Sequence, residues 1–113
     1  MADYYVYILT NSAGVLYIGF TNDLSERLWQ HVHDRIPGFA SEHNLDRLIY
    51  FEIFPTPREA IAREKQLKGW RRDKKTALIA TLNPSWRDLS GRFPYSLPTD
   101  KRDDVSGPST SSG

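Results

Sequence analysis

Two short runs rich in aromatic and β-branched residues, Tyr4-Tyr5-Val6-Tyr7-Ile8-Leu9 and Val15-Leu16-Tyr17-Ile18-Gly19-Phe20, flank the link Asn11-Ser12-Ala13-Gly14. Strands favour such residues, and a short glycine-containing link between two of them predicts an antiparallel hairpin. The rest of the chain must pack against this pair. Asn22 or Asp23 can cap a helix that carries Leu24, Leu28 and Val32 at i, i+4 and i+8. Residues 34–46 contain Pro37-Gly38 without a clear period and read as a loop. Arg47 to Phe54 predicts a third strand, closed by Pro55.

Thr56-Pro57-Arg58-Glu59 is a sharp helix start: Thr56 caps, Pro57 suits the first helical position and Glu59 completes a capping box. This helix should reach about Lys68 and stop at Gly69. A further helix from about Asp73 carries Ala77, Leu78 and Leu82 and ends at Asn83-Pro84. The order β-β-α-β-α-α predicts an α+β domain, a small mixed sheet with helices packed on it.

The 113 residues suit one domain, expected over residues 1–92. From Phe93 the composition turns to Pro, Ser, Asp and Gly, so residues 93–113 read as a disordered tail whose end could be an expression scar. The absence of cysteine excludes a disulfide scaffold and thiolate metal sites. No run approaches the roughly 18 apolar residues of a membrane helix, and no basic-then-apolar signal opens the chain. The expected location is cytoplasmic, with no membrane partner.

Net charge is +1, which argues against a supercharged nucleic-acid binder but hides the placement of the charges. Arg63, Lys65, Lys68, Arg71, Arg72, Lys74 and Lys75 fall within thirteen residues against only Glu64 and Asp73, a local charge of about +5. Such a run is either a solvated helix face or a phosphate-binding surface. Trp70 inside it could stack a base or pack on the core.

Arg27 and His31 are one helical turn apart on a shared face, and Tyr5 and Tyr7 share a strand face. With Tyr17 they form a set suited to acid–base work on a phosphate ester: a guanidinium to offset negative charge, Tyr or His to move protons. Glu64 lies in line with the apolar positions Ala60, Ile61 and Leu67, where a carboxylate must be ion-paired or metal-bound. One carboxylate completed by water and phosphate suits Mg²⁺ or Mn²⁺ rather than zinc, and His31, His33 and His43 lack a zinc spacing.

Tyr5-Val6-Tyr7, Tyr17-Ile18-Gly19 and the Arg27–His31 pair, in that order, resemble the GIY-YIG nuclease core. The stretch Arg63-Glu64-Lys65-Gln66-Leu67-Lys68-Gly69-Trp70 and the later Asn83-Pro84-Ser85-Trp86 are similar to its small single-domain bacterial branch, the UPF0213 type. The likeness covers about Tyr4 to Leu89.

It implies a three-stranded antiparallel sheet flanked by helices and a metal-dependent DNA endonuclease using Mg²⁺ or Mn²⁺. By position, it implies Tyr17 as the tyrosine that activates water or passes on its proton, with Tyr7 beside it. It also implies Arg27 stabilising the transition state, His31 assisting proton transfer, Glu64 as the sole protein ligand of the metal, and Asn83 as a polar support. Gly19 would allow close backbone approach. Tyr5 replaces the glycine of the first triplet. Phe20 stands where excision-repair members carry a lysine, although resolvase-type members share the Tyr-Ile-Gly-Phe-Thr run.

Lys68, Trp70, Arg71, Arg72, Lys74 and Lys75 are the expected DNA-binding residues. Backbone contacts predict low sequence specificity, and single-stranded or branched DNA, in repair or recombination, is favoured if Trp70, Tyr50 or Phe39 stacks bases. The competing readings are a non-catalytic DNA-binding or repair-adaptor module on the same fold, and a structural partner-binding domain.

Overall fold

In the computed structural model, which describes residues 3–33 and 45–94, the hairpin forms as β1 (Tyr4–Thr10) and β2 (Leu16–Thr21). Asn11 closes it: its side-chain oxygen accepts from the amides of Ala13 (3.0 Å) and Val15 (3.1 Å), and its carbonyl accepts from Gly14 (3.0 Å). Gly14 has φ +80°, a conformation that glycine adopts without a Cβ penalty. β3 (Arg47–Phe54) pairs with the other side of β1, giving the order β2-β1-β3 with both pairings antiparallel. The sheet is thus antiparallel throughout rather than mixed.

Being central explains why β1 is a nearly continuous apolar run. Both of its faces are covered. On one, Tyr7 and Leu9 pack with Leu48 and with Leu24 and Leu28 of α1 (Leu24–His33). On the other, Val6 and Ile8 pack with Ala60 and Leu67 of α2 (Pro57–Lys68) and Ile79 of α3 (Arg72–Leu82). The register of β3 slips at its middle: Ile8 pairs with Tyr50 but Leu9 with Leu48, so Ile49 is an extra residue. Ile49 and Tyr50 consequently join the same core cluster although adjacent in sequence, which a strict alternation forbids. The side chain of Val32, the third position of the α1 stripe, lies outside the described residues.

Thr56 caps α2 as expected, with Glu59 bonded to its hydroxyl. Thr56 Oγ1 accepts from the Glu59 amide (3.3 Å) and donates to the Glu59 carboxylate (2.9 Å). Gly69 ends α2 with φ −82°, so the helix stops without a left-handed cap; the Gly69 amide still turns back to Lys65 and Gln66. Two core expectations are corrected. Ile61 is exposed, because the inward line of α2 runs through Ala60 and Leu67 with Glu64 between them. On α3, Ala77 is exposed, Leu78 only partly buried and Leu82 44% exposed; the buried position is Ile79, one turn before buried Asn83. Among the described residues no helix is long and apolar enough to cross a membrane.

Asn83 explains both that inward face and the path of the chain after it. Its Nδ2 donates to the carbonyls of Ile49 (3.0 Å) and Arg87 (2.8 Å), and its Oδ1 accepts from the Arg87 amide (3.0 Å). Residues 83–93 are thereby laid against the open edge of β3, where Asp88 accepts from the Leu48 amide (3.1 Å) and Leu89 donates to the Leu48 carbonyl (2.7 Å). Trp86 takes φ 55° at the turn, a strained conformation that this clamp maintains, and packs on the core. A short 3₁₀ turn at Ser90–Arg92 then brings Phe93 edge-on to Phe51, with ring centroids 4.9 Å apart. Phe93 therefore packs against β3.

Asn83, expected as a polar support of the site, spends its side-chain amide on three backbone bonds. Asn83→Ala should lower unfolding free energy by about 2–3 kcal/mol in urea denaturation, since it strands buried backbone groups. Any cleavage activity per folded molecule should be unchanged.

Candidate active site

The site grows from the hairpin register. Tyr7 pairs with Gly19 across β1 and β2, and its ring lies over the glycine. A Cβ at position 19 would sit within 3.0 Å of the Tyr7 hydroxyl oxygen and the ring carbon bearing it, so only glycine leaves room. The close approach read from the sequence is thus to a neighbouring side chain. Tyr17, two residues earlier on β2 and opposite Leu9, packs on the same face as Tyr7. Phe20 packs with the opposite core and stacks with Tyr4 at 6.2 Å, away from both site tyrosines.

α1 begins directly after β2. Thr21 Oγ1 accepts from the Asp23 amide (3.1 Å), and the Asp23 carboxylate accepts from the Glu26 amide (3.0 Å), which caps the helix. Leu24 and Leu28 bury one stripe, which places Arg27 and His31, each three residues later, over the tyrosines. The three rings form a near-equilateral set: Tyr7–Tyr17 6.4 Å, Tyr7–His31 6.2 Å and Tyr17–His31 5.9 Å between centroids. The Tyr7 hydroxyl lies 3.5 Å from His31 Nε2. Arg27 and, from α2, Glu64 are close enough to act electrostatically on Tyr7. Five of the six expected catalytic residues therefore converge, while the Asn83 amide bonds to the backbone of Ile49 and Arg87.

Their protonation states differ in a useful way. Tyr7 is 1% exposed, and burial, with Tyr17 and Glu64 adding to it, pushes its hydroxyl well above 10 despite the opposing charge of Arg27. It stays a phenol at neutral pH. His31 moves the other way: burial first, then Arg27, holds it below 6.5. Its imidazole is neutral at pH 7 and able to accept a proton.

Glu64 is 18% exposed on its side chain and forms an ion pair with Lys68 Nζ at 3.0 Å. Among the described residues no group of three or more His, Cys, Asp or Glu gathers that could cage a metal. What remains fits a hard divalent cation bound by one carboxylate and completed by water and substrate oxygens. The side chains of His33 and His43 lie outside the described residues.

The basic run forms the corner between α2 and α3. Gly69, Trp70, Arg71, Asp73, Lys74 and Ala77 line an open groove of about 570 Å³. Arg72 reaches back to the hairpin turn, its guanidinium 3.4 Å from the position of a Gly14 Cβ. Trp70 is half-buried, with Lys74 Nζ 4.3 Å and the Arg63 guanidinium 5.2 Å from its ring centroid. The ring packs on the core, the second of the two alternatives, with these cations beside it. Tyr50 is removed from base stacking: it is buried and donates to Glu52. Phe39 lies outside the described residues.

Sequence reasoning passed over the Tyr50–Glu52–Arg63 network altogether. Burial acts to raise the Glu52 carboxyl, and bonds from Arg63 and Tyr50 outweigh it and hold it below 4.5. The available signal was an acid in the middle of a strand that faces a basic helix.

A sheet with this register brings two tyrosines, an arginine, a histidine and a glutamate to one place, a set of groups able to act on a phosphate ester. Residues 3–77 match the GIY-YIG catalytic domain model, and the chain belongs to the GIY-YIG family. It is a small domain of the UPF0213 type. A UPF0213 protein of Bacillus pumilus is 38% identical over 77 residues, covering 68% of this chain and 79% of the relative. UPF0213 protein SSP2268 of Staphylococcus saprophyticus is 32% identical over 80 residues, 71% and 98% of the two chains. The solution NMR structure of UPF0213 protein BH0048 from Bacillus halodurans superposes with a TM-score of 0.52 at 26% identity, covering 82% of this chain and 99% of that one.

Two measurements check the site. Gly19→Ala should displace the Tyr7 ring and destabilise the fold by about 1–3 kcal/mol in urea, as overpacking does. In an NMR titration His31 should protonate below pH 6.5. Since the unfolded chain takes up that proton first, stability should fall as pH drops from 6.5 through the folded value.

Proposed function

We propose that this protein is an endonuclease that hydrolyses DNA phosphodiesters with one divalent cation, Mg²⁺ or Mn²⁺, held by Glu64. The convergence of Tyr7, Tyr17, Arg27 and His31 with that carboxylate carries the reading. When bound, the cation supplies Lewis-acid stabilisation of charge on the phosphate and leaving oxygens. Neutral His31 accepts the proton of the attacking water, with Tyr17 beside it to relay. The Tyr7 hydroxyl oxygen, held as a phenol, accepts from His31 Nε2–H, which orients the ring and leaves Nδ1 as the nitrogen that takes the water's proton. Arg27 offsets the negative charge that develops on the phosphate.

Lys68, Arg71, Arg72, Lys74 and Lys75 bind the DNA backbone, which gives low sequence specificity because phosphates are alike at every base. With Trp70 and Tyr50 engaged within the protein, stacking gives no support to a preference for single-stranded or branched DNA. A role in repair or recombination agrees with the activity.

Labelled single-stranded, duplex and branched DNA, incubated with the protein with and without Mg²⁺ or Mn²⁺, tests the reading. Metal-dependent cutting is expected. Glu64→Ala should abolish it with the fold retained, and Arg27→Ala should slow it by about 10²–10³-fold. Binding without metal-dependent cutting would instead identify a DNA-binding module on this fold.

A further inference from the structure

Glu52 and Glu64 are buried to nearly the same degree, 19% and 18% exposed on their side chains, yet they are held in opposite ways. Glu52 accepts from Arg63 Nε and Nη2 at 2.9 Å each and from the Tyr50 hydroxyl at 2.5 Å. A planar guanidinium fork and a phenol lock both its oxygens. Glu64 is paired with a single ammonium, Lys68 Nζ, 3.0 Å away and one turn further along α2. Lys68 is 53% exposed and sits in the last turn of its helix on a flexible four-carbon stem. A contact of this kind between a lysine and a carboxylate exchanges readily, whereas the fork at Glu52 does not.

We propose that Lys68 is the resting counter-ion of the Glu64 carboxylate, and that a divalent cation must displace its ammonium in order to bind. This rests on the reading of Glu64 as the metal ligand. The ion pair compensates the half-buried carboxylate before metal arrives and keeps the standing affinity for metal low. Substrate changes that balance: phosphate oxygens supply the further ligands a hard cation needs, and they offer the released ammonium a new partner beside Arg71 and Arg72. Metal and DNA then load together.

Calorimetric titration of the full chain with MnCl₂, without DNA, tests this in the wild type and in Lys68→Met, Lys68→Arg and Glu64→Gln variants. Lys68→Met should bind Mn²⁺ about twofold or more tighter than wild type, as removal of a competing i,i+4 partner requires. Lys68→Arg, which keeps the charge, should bind no tighter than wild type, and Glu64→Gln should lose binding. If Lys68→Met is no tighter while Glu64→Gln still abolishes binding, the counter-ion role fails and Glu64 remains the ligand. Undiminished Mn²⁺ binding by Glu64→Gln would overturn the metal reading and this inference with it. A Lys68→Arg affinity raised as far as that of Lys68→Met would also overturn the counter-ion role.

Discussion

The Tyr7 ring resting on the backbone of Gly19 is the contact from which the site is assembled. β1 is the central strand, so Tyr7 has no route to solvent along its own strand and must lie across a neighbour. Only a residue without a side chain leaves space for that crossing. The hydroxyl is thereby carried to His31, and within electrostatic reach of Arg27 and Glu64. A methyl group on Gly19 would collide with the ring and disturb the pairing of β1 and β2 at the same point. Sheet register and site geometry are therefore one constraint.

Burial then divides the labour between two titratable neighbours. Removing a group from water favours its neutral form, which means a retained proton for tyrosine and a lost proton for histidine. Tyr7 keeps its proton and His31 stays a neutral proton acceptor, although both stand in the same environment. Charge is handled by the same rule at the two glutamates. Glu52 is compensated permanently and joins α2 to β3, while Glu64 is compensated by a lysine that can leave. A net charge of +1 averages over these local arrangements and over the cationic corner at Trp70.

Much of this was legible in the residues. Strand composition and the Thr56-Pro57-Arg58-Glu59 cap fixed the elements nearly to the residue, because both signals are local. The Arg27–His31 spacing and the position of Glu64 on the inward line of α2 follow from helical periodicity alone. The core of α3 was misread because its few apolar residues define no clear stripe; its orientation is imposed by Ile79 and by the Asn83 clamp on β3. Asn83 itself shows the limit of a motif: position marks the residue, and only the structure shows the hydrogen bonds by which it ties α3 to β3. Trp70 shows the same limit, since an aromatic within a basic run is equally able to stack a base or to bind the run's own cations.

By itself, the sequence determined the strands, the helices, their order and the residue types able to act on a phosphate ester, because each depends on neighbours within a few positions. Tertiary structure decided which of those residues meet. The slip at Ile49 and the passage of Tyr7 over Gly19 arise from packing two helical layers on one narrow sheet. It also decided which groups keep their protons, since that depends on exclusion of water by elements distant in the chain.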